Sequence, residues 1–226
     1  MTANSVVLSR TDTVVVTATG GKRRSDNQKT GDMLQIQAAP TATDPVTAGK
    51  TDAQALVCFD CPVKPWCYVN RGHAPLATWK ATKGSEPISP AAWRAFARDK
   101  PARLGSWGDP AAMSADILQM VVENRAYTGY THQWRHRPDL SELCMASVET
   151  VAQREEASAL GWRTFRPIVP GSEPDTGEVL CPYVSHGVQC ADCLLCCGNG
   201  RQAVDVVVPI HGTFQTAGTE YLQNVR

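Results

Sequence analysis

From residue 55 onward, after the loop-like APTATDPVTAGKTDAQ, the chain keeps a beat that limits its fold: short apolar or alternating runs of strand length are followed by amphipathic stretches of helix length. MLQIQA alternates as a strand does, and ALVCF is a short apolar run that delivers Cys58 at its end. APLATWKATKG and SPAAWRAFARDKP have helical spacing, the second opened by Ser89 as cap and Pro90 in the first turn. ARLGSWGDP reads as a strand ending at Gly108-Asp109-Pro110, and MSADILQMVVENRA as an amphipathic helix capped by Ser114. YTGYTHQW and LCMASVET read as strands, and TVAQREEASALGW as a helix between Thr150 and Gly161; WRTFRPIVP and VDVVVPIHG are the last strands. Strand and helix alternating at these lengths predict an α/β fold, either a partial (βα) barrel or an open parallel sheet of about six strands, with a Cys-rich metal-binding insertion near the C-terminus. The expected divisions are an N-terminal arm over 1–30, with a short hairpin through SVVLS and TVVVTA, and a βα domain over 31–170. A Cys-rich segment with the final strand follows over 171–226.

Parallel α/β folds build their sites at the C-terminal ends of strands. The residues placed there by this reading are Cys58, Asp109, His132, Gln133, Trp134, Glu149, Arg166 and His211, with Cys181 just beyond the extended piece EVLCP. They are expected to share one rim, Glu149 and Arg166 pairing across neighbouring strands.

Nine cysteines need a chemical reason. The N-terminal apolar run is broken by Arg10 and Asp12, so it makes no secretion signal, and no stretch approaches the ~18 apolar residues of a membrane span. A cytoplasmic location with reduced thiols, metal or catalysis rather than disulfides, and no membrane association are expected. In CFDCPVKPWCYVN, Cys58, Cys61 and Cys67 are separated by Asp60, Pro62, Lys64 and Pro65, unlike core packing. A closed structural site wants four ligands, so three thiols either borrow a fourth or leave a position open for chemistry. Farther on, Cys181 and the evenly spaced Cys190, Cys193 and Cys196 are a second ligand set for Zn or an iron–sulfur cluster. His186 is an alternative ligand there, Cys197 the spare thiol, and Cys144 a core residue. Lys and Arg number 22, as do Asp and Glu, so no global field draws the chain to nucleic acid. The run Lys22-Arg23-Arg24 reads as solvated.

The order of these features resembles the radical S-adenosylmethionine (SAM) enzymes. In that family a loop after the first barrel strand holds a [4Fe–4S] cluster on three cysteines, and the fourth iron takes the amino and carboxylate groups of SAM. Here Cys58, Cys61 and Cys67 follow ALV, and an aromatic residue, Trp66, precedes the last cysteine. SWGDP (106–110) stands where the family has a Gly-Gly-Glu-Pro-like turn, and the resemblance assigns Gly108 and Asp109 to the methionine end of SAM. LCMASVET and GWRTFRPI resemble the fourth and fifth strands, and cysteine-rich tails with an auxiliary cluster occur there too. The spacing departs from the family's usual C-x3-C-x2-C: this chain has C-x2-C-x5-C. GDMLQIQ, CYVN, GDPAA, TGYTHQW and CADCLLC are also similar to a group of uncharacterised bacteriophage proteins, which implies a phage gene acting in the host cytoplasm.

Two functions follow as expectations. The first is a radical SAM-type iron–sulfur enzyme, with SAM as small-molecule cofactor and a reductant protein as partner. Glu149 and Arg166 would then face polar groups of the cofactor, and His132 and His211 the substrate. The second is a metal-stabilised binding module for nucleic acid or a host protein. In it TGYTHQWRHRP interleaves Tyr130 and Trp134 with Arg135, His136 and Arg137 as single-strand binders do.

Overall fold

The N-terminal residues Val6 to Leu8 and Val14 to Val16 are β-branched or apolar, and in the computed structural model, which describes residues 4–199, 204–212 and 215–225, they form a hairpin. By its contacts the chain divides into two units, Met1–Asp60 with Val69–Tyr127 and Cys61–Tyr68 with Thr128–Arg226. Among the described residues the fold is mixed α/β, with ten strands in two five-stranded sheets.

In the first unit, β1 (Ser5–Arg10) pairs antiparallel with β2 (Val14–Thr19), the ladder slipping between Val7 and Ser9. The Thr11 hydroxyl closes the turn by accepting the N–H groups of Thr13 and Val14. β2 pairs antiparallel with β3 (Leu34–Pro40), and β3 pairs parallel with β4 (Ala102–Arg103); the sheet order ends in β5 (Tyr127–Thr128), where the chain passes into the second unit. The hairpin expected in the first thirty residues is present. It extends the sheet, because Val7, Leu8, Val15 and Val16 are apolar enough to be buried there. This accounts for part of the excess over about six strands.

Between β3 and β4 run α1 (Pro45–Ala48), α2 (Ala55–Cys58), α3 (Ala74–Ala81) and α4 (Pro90–Ala97). Ser89 caps α4 by accepting the Ala92 N–H at 3.2 Å, and Ser114 caps α5 (Ala115–Val122) through the Ile117 N–H at 3.4 Å. ALVC is therefore helical where the sequence suggests a strand. A short apolar run carries no decisive period; only Val57 of the four is buried, and Leu56 faces solvent.

The second unit is built on a wholly parallel sheet. β6 (Tyr130–Thr131), β7 (Met145–Ser147), β8 (Thr164–Ile168), β9 (Glu178–Leu180) and β10 (Asp205–Pro209) lie in the order β6-β7-β8-β10-β9. The interior strand β10, between β8 and β9, reads DVVVP and buries Val206, Val207 and Val208, as a strand covered on both faces must. α6 (Val151–Ala159) crosses from β7 to β8 with Thr150 accepting the Gln153 N–H at 3.1 Å. α7 (Pro182–His186) and α8 (Cys190–Cys193) lie between β9 and β10, and α9 (Gln215–Asn224) follows. Charged groups tie this sheet together. Arg166 of β8 grips Glu178 of β9 with two nitrogens and Asp175 at 2.7 Å, while Arg154 of α6 reaches Asp205 of β10 at 2.9 Å.

Candidate functional site

Within the second unit the cysteine loop is anchored by its aromatic residue. Trp66 is buried with Ile210 and Leu222, and its ring lies 5.5 Å from that of Tyr221 on α9. Gly218 permits this approach, since a Cβ there would come within 2.9 Å of the Trp66 ring. The anchored loop presents Cys61 to two residues that end neighbouring parallel strands: His132 follows β6 and Glu149 lies just beyond β7. The Cys61 sulfur stands 3.5 Å from His132 Nδ1, and His132 Nε2 stands 2.9 Å from Glu149 Oε1. The His132 side chain is 18% exposed and that of Glu149 only 3%.

Burial alone would pull the His132 pKa down. The Cys61 sulfur and the Glu149 carboxylate outweigh it and hold the imidazole well above its usual range. The same two groups, added to burial, push the Tyr221 hydroxyl up. Glu149 is fixed in turn: its N–H donates to Gln153 Oε1 at 2.7 Å, and the Gln153 N–H donates to Thr150. Gln153 was legible only as the third residue after a capping threonine.

Glu149 also lines a cavity of about 620 Å³, with Thr150 at the start of α6, Arg166 and Ile168 of β8, Asp175, and Leu222 of α9. Arg166 and Glu149 thus border one cavity without pairing. Arg166 is held by Glu178 and Asp175, and Glu149 by His132. Arg166 lies inside β8, opposite Val207, rather than at the strand's end. His211 lies beyond the end of β10, exposed, with Nδ1 on the Pro209 carbonyl at 2.8 Å. Gln133 is buried, and its N–H donates to the Thr131 hydroxyl at 2.9 Å.

The first unit holds the other expected site residues. Cys58 ends α2, and the Gln54 amide donates to its sulfur at 3.7 Å. The Gly108-Asp109-Pro110 turn continues from β4: the Ser106 N–H donates to Ile36 at 2.8 Å, and the Ala38 N–H to Trp107 at 3.0 Å. Asp109 then donates its N–H to the carbonyl of Val57 at 2.7 Å, which brings the turn to the residue before Cys58. Its carboxylate accepts the Ala111 N–H at 2.9 Å. Gly108 has φ +75°, and a Cβ there would run into the Ala38 carbonyl. Of the residues expected on one rim, Asp109 and Cys58 belong to the first unit and His132, Glu149, Arg166 and His211 to the second.

Arg163 organises the second thiol segment, a role its sequence position gave no sign of. It donates to the carbonyls of Leu195 at 3.0 Å, Cys197 at 2.7 Å, Gly198 at 3.3 Å and Val204 at 2.6 Å. Cys181 and Cys196 pack into one apolar cluster with Met145, Val206 and Val208. Cys190 and Cys193 are the first and last residues of α8, and the Cys197 sulfur lies 3.9 Å from Arg163 Nη1. Cys144 is buried. All nine cysteines are outside disulfides. Among the described residues, no three His, Cys, Asp or Glu side chains are gathered as a ready-made metal site.

The aromatic and basic groups of TGYTHQWRHRP are engaged within the protein. Tyr130 stacks on Phe165 with ring centres 4.4 Å apart, and Trp134 is buried under the Arg135 guanidinium at 3.9 Å. Arg135 pairs with Glu156, and Arg137 with Asp139 at 2.7 Å. Among the described residues no helix is long and apolar enough to cross a membrane. No family model, curated protein or solved structure matches this chain.

Proposed function

We propose that the chain is an iron–sulfur enzyme of the radical SAM type, coded by a phage, with Cys58, Cys61 and Cys67 holding a [4Fe–4S] cluster. The observation that carries the reading is the 2.7 Å bond from the Asp109 N–H to the Val57 carbonyl, which sets the Gly-Asp-Pro turn beside the first cysteine of the loop. Thiolates are the donors such a group takes, and two of the three sulfurs face nitrogen, Gln54 Nε2 at Cys58 and His132 Nδ1 at Cys61, although the three sulfurs are not gathered on one point. Bound there, the cluster would supply an electron to the sulfonium of SAM.

The chain's own residues divide the remaining work. Gly108 and Asp109 would offer the turn's backbone to the methionine end of SAM, while the Asp109 carboxylate accepts the Ala111 N–H. Glu149 would meet polar ligand groups from the wall of its cavity; Arg166, locked to two carboxylates, would act chiefly by fixing that wall. His132 and His211 stand at strand ends on the substrate side of this reading. Cys181, Cys190, Cys193 and Cys196 would hold a second Fe–S cluster or Zn, with Arg163 bracing their loop.

The test is anaerobic reconstitution of the full chain with iron and sulfide. Broad absorption near ~400 nm, several irons per chain and calorimetric binding of SAM are expected. Loss of one cluster in Cys58→Ser and Cys67→Ser, with the other kept, would assign the first site. Colourless protein holding zinc only would replace this reading by the metal-stabilised binding module. The internal engagement of Tyr130, Trp134, Arg135 and Arg137 weighs against single-stranded nucleic acid as that module's partner.

A further inference from the structure

We propose that the cavity of the second unit binds a small organic cation, an alkylammonium whose charge meets Glu149 and whose aliphatic body lies along the apolar wall. The inference stands on the cavity's own residues and needs no cluster, so it goes beyond the iron–sulfur reading.

The cavity holds about 620 Å³, the size of a small-molecule site, and it lies where parallel sheets form such sites, at the ends of β7 and β8. Part of its wall is apolar, made by Val151, Ile168, Val169, Leu222 and Val225. The polar part is rich in acceptors. Glu149, Glu173 and Asp175 supply carboxylates, and Arg166 is the one cation among the described lining residues. That guanidinium is engaged, holding Glu178 with two nitrogens and Asp175 at 2.7 Å. An anion entering the cavity would meet an arginine already matched by two carboxylates. Glu149 offers the opposite. Its side chain is only 3% exposed, and His132 occupies Oε1 at 2.9 Å, but Oε2 takes no hydrogen bond among the described residues. Counting Glu178 behind Arg166, and His132 as fully charged, four carboxylates stand against two cations. Arg154 of α6 does not change that excess, because it brings Asp205 as its own partner at 2.9 Å. A carboxylate oxygen with little water around it is satisfied best by a charged N–H donor. The first turn of α6 borders the cavity too and is the feature that would favour an anion, so the test includes one.

The test uses the full chain without added iron. Pentylamine, pentanol and pentanoate, equal in chain length and different in charge, are titrated at pH 7 against the methyl resonances of Ile168, Leu222 and Val225. The amine is a cation there, as a lysine side chain is. It should shift these methyls saturably and bind about tenfold more tightly than either other probe. Each methylene removed from it should weaken binding about threefold. Glu149→Gln should lower affinity for the amine about tenfold and leave that for pentanol unchanged; the exposed Glu173→Gln should lower it about twofold. Should Glu149→Gln fail to fold, the ranking of the probes and Glu173→Gln still decide. Tighter binding of pentanoate, equal binding of all three probes, or no shift at these methyls overturns the inference. Displacement of the amine by SAM gives the cavity to the cofactor, which overturns the inference and leaves the iron–sulfur reading standing. A chain that takes up no iron and still binds the amine upholds the inference and removes only that reading.

Discussion

The two units put their chemistry-bearing residues in place by different means. In the second, parallel strands do the placing: His132 and Glu149 follow neighbouring strands, and side chains meet directly. In the first, backbone does it. Cys58 arrives on a helix end, and the Gly-Asp-Pro turn reaches it through one N–H bond to Val57. A side-chain site survives small backbone shifts and fails when a charge is removed. A backbone site fails when a turn is distorted and is nearly indifferent to the side chains around it.

The sharpest way to break that contrast is to remove a charge in the second unit. Arg166→Met would leave the Glu178 carboxylate, whose side chain is 0% exposed, with the Asp175 N–H at 3.0 Å and its nearest remaining cation, Arg154, at 3.7 Å. The expected loss is ~4 kcal/mol, the scale for an uncompensated buried ion. It should appear as a lower denaturant midpoint and as faster hydrogen exchange across β8 to β10. A change under about 1 kcal/mol would mean that the network contributes little and that strand packing alone fixes this edge.

Next in size is the corresponding insult to backbone. Gly108→Val forces a β-branched residue to φ +75° against the Ala38 carbonyl, at an expected cost of about 3 kcal/mol from strain and displacement together. Exchange should rise around residues 36–38 and 106–111 while β6 to β10 stay protected. Because this variant suffers whether or not SAM binds, it tests the turn and says nothing of the ligand. Asp109→Ala keeps the backbone bond to Val57 and loses the cap on Ala111, about 1 kcal/mol. If backbone placement is right, Asp109→Ala should bind SAM nearly as the wild type does.

Much of the second unit was legible because its signals were redundant. Val206 to Val208 is a continuous apolar run, Thr150 precedes a clean helical pattern, and each parallel strand has one defined exit. That redundancy placed His132 and Glu149 at strand ends, but not their mutual bond. Strand order, here β6 beside β7, is set by sheet topology and leaves no mark on the sequence. The expected Glu149–Arg166 pair failed for a related reason. Arg166 points to Glu178 of β9, which follows β8 in the sequence but lies one strand beyond it in the sheet order, with β10 between them. In the first unit, ALVC carried no period long enough to separate helix from strand. The bracing by Arg163 was invisible because its acceptors are backbone carbonyls, which every residue has.

Caps offer a matched comparison across the units. Ser114 of α5 and Thr150 of α6 each satisfy one N-terminal amide, and each changed to Ala should cost about 1 kcal/mol. Thr150→Ala carries a second consequence that Ser114→Ala lacks. It loosens Gln153, which holds the Glu149 backbone, so the His132–Glu149 pair should be disturbed and the His132 ring resonances should move. Equal stability losses with unmoved His132 signals would show that the His132–Glu149 contact does not depend on the cap.

The smallest effect concerns an ion pair of the first unit, Asp32 with Lys100. Asp32 Oδ1 lies 2.9 Å from Lys100 Nζ and accepts the Ser25 N–H at 3.0 Å. Burial pushes this carboxyl up, but the Lys100 contact and the Ser25 N–H outweigh it and hold Asp32 below the usual aspartate range. A carboxylate with a depressed folded pKa contributes stability that is fully present above the unfolded value of about 3.9 and is lost as pH falls through the lower folded value. The pair is partly exposed, so the contribution should stay below about 1 kcal/mol and shrink in salt. Asp32→Asn should therefore unfold at a slightly lower denaturant concentration than wild type at pH 7, and the two midpoints should converge as pH drops below 3.9. A gap that persists unchanged under acid would mean that the hydrogen bond to Ser25, which an asparagine oxygen can also accept, matters less than local packing. The Asp32–Lys100 pair would then owe nothing measurable to charge, in contrast with the arginine-laced sheet of the second unit.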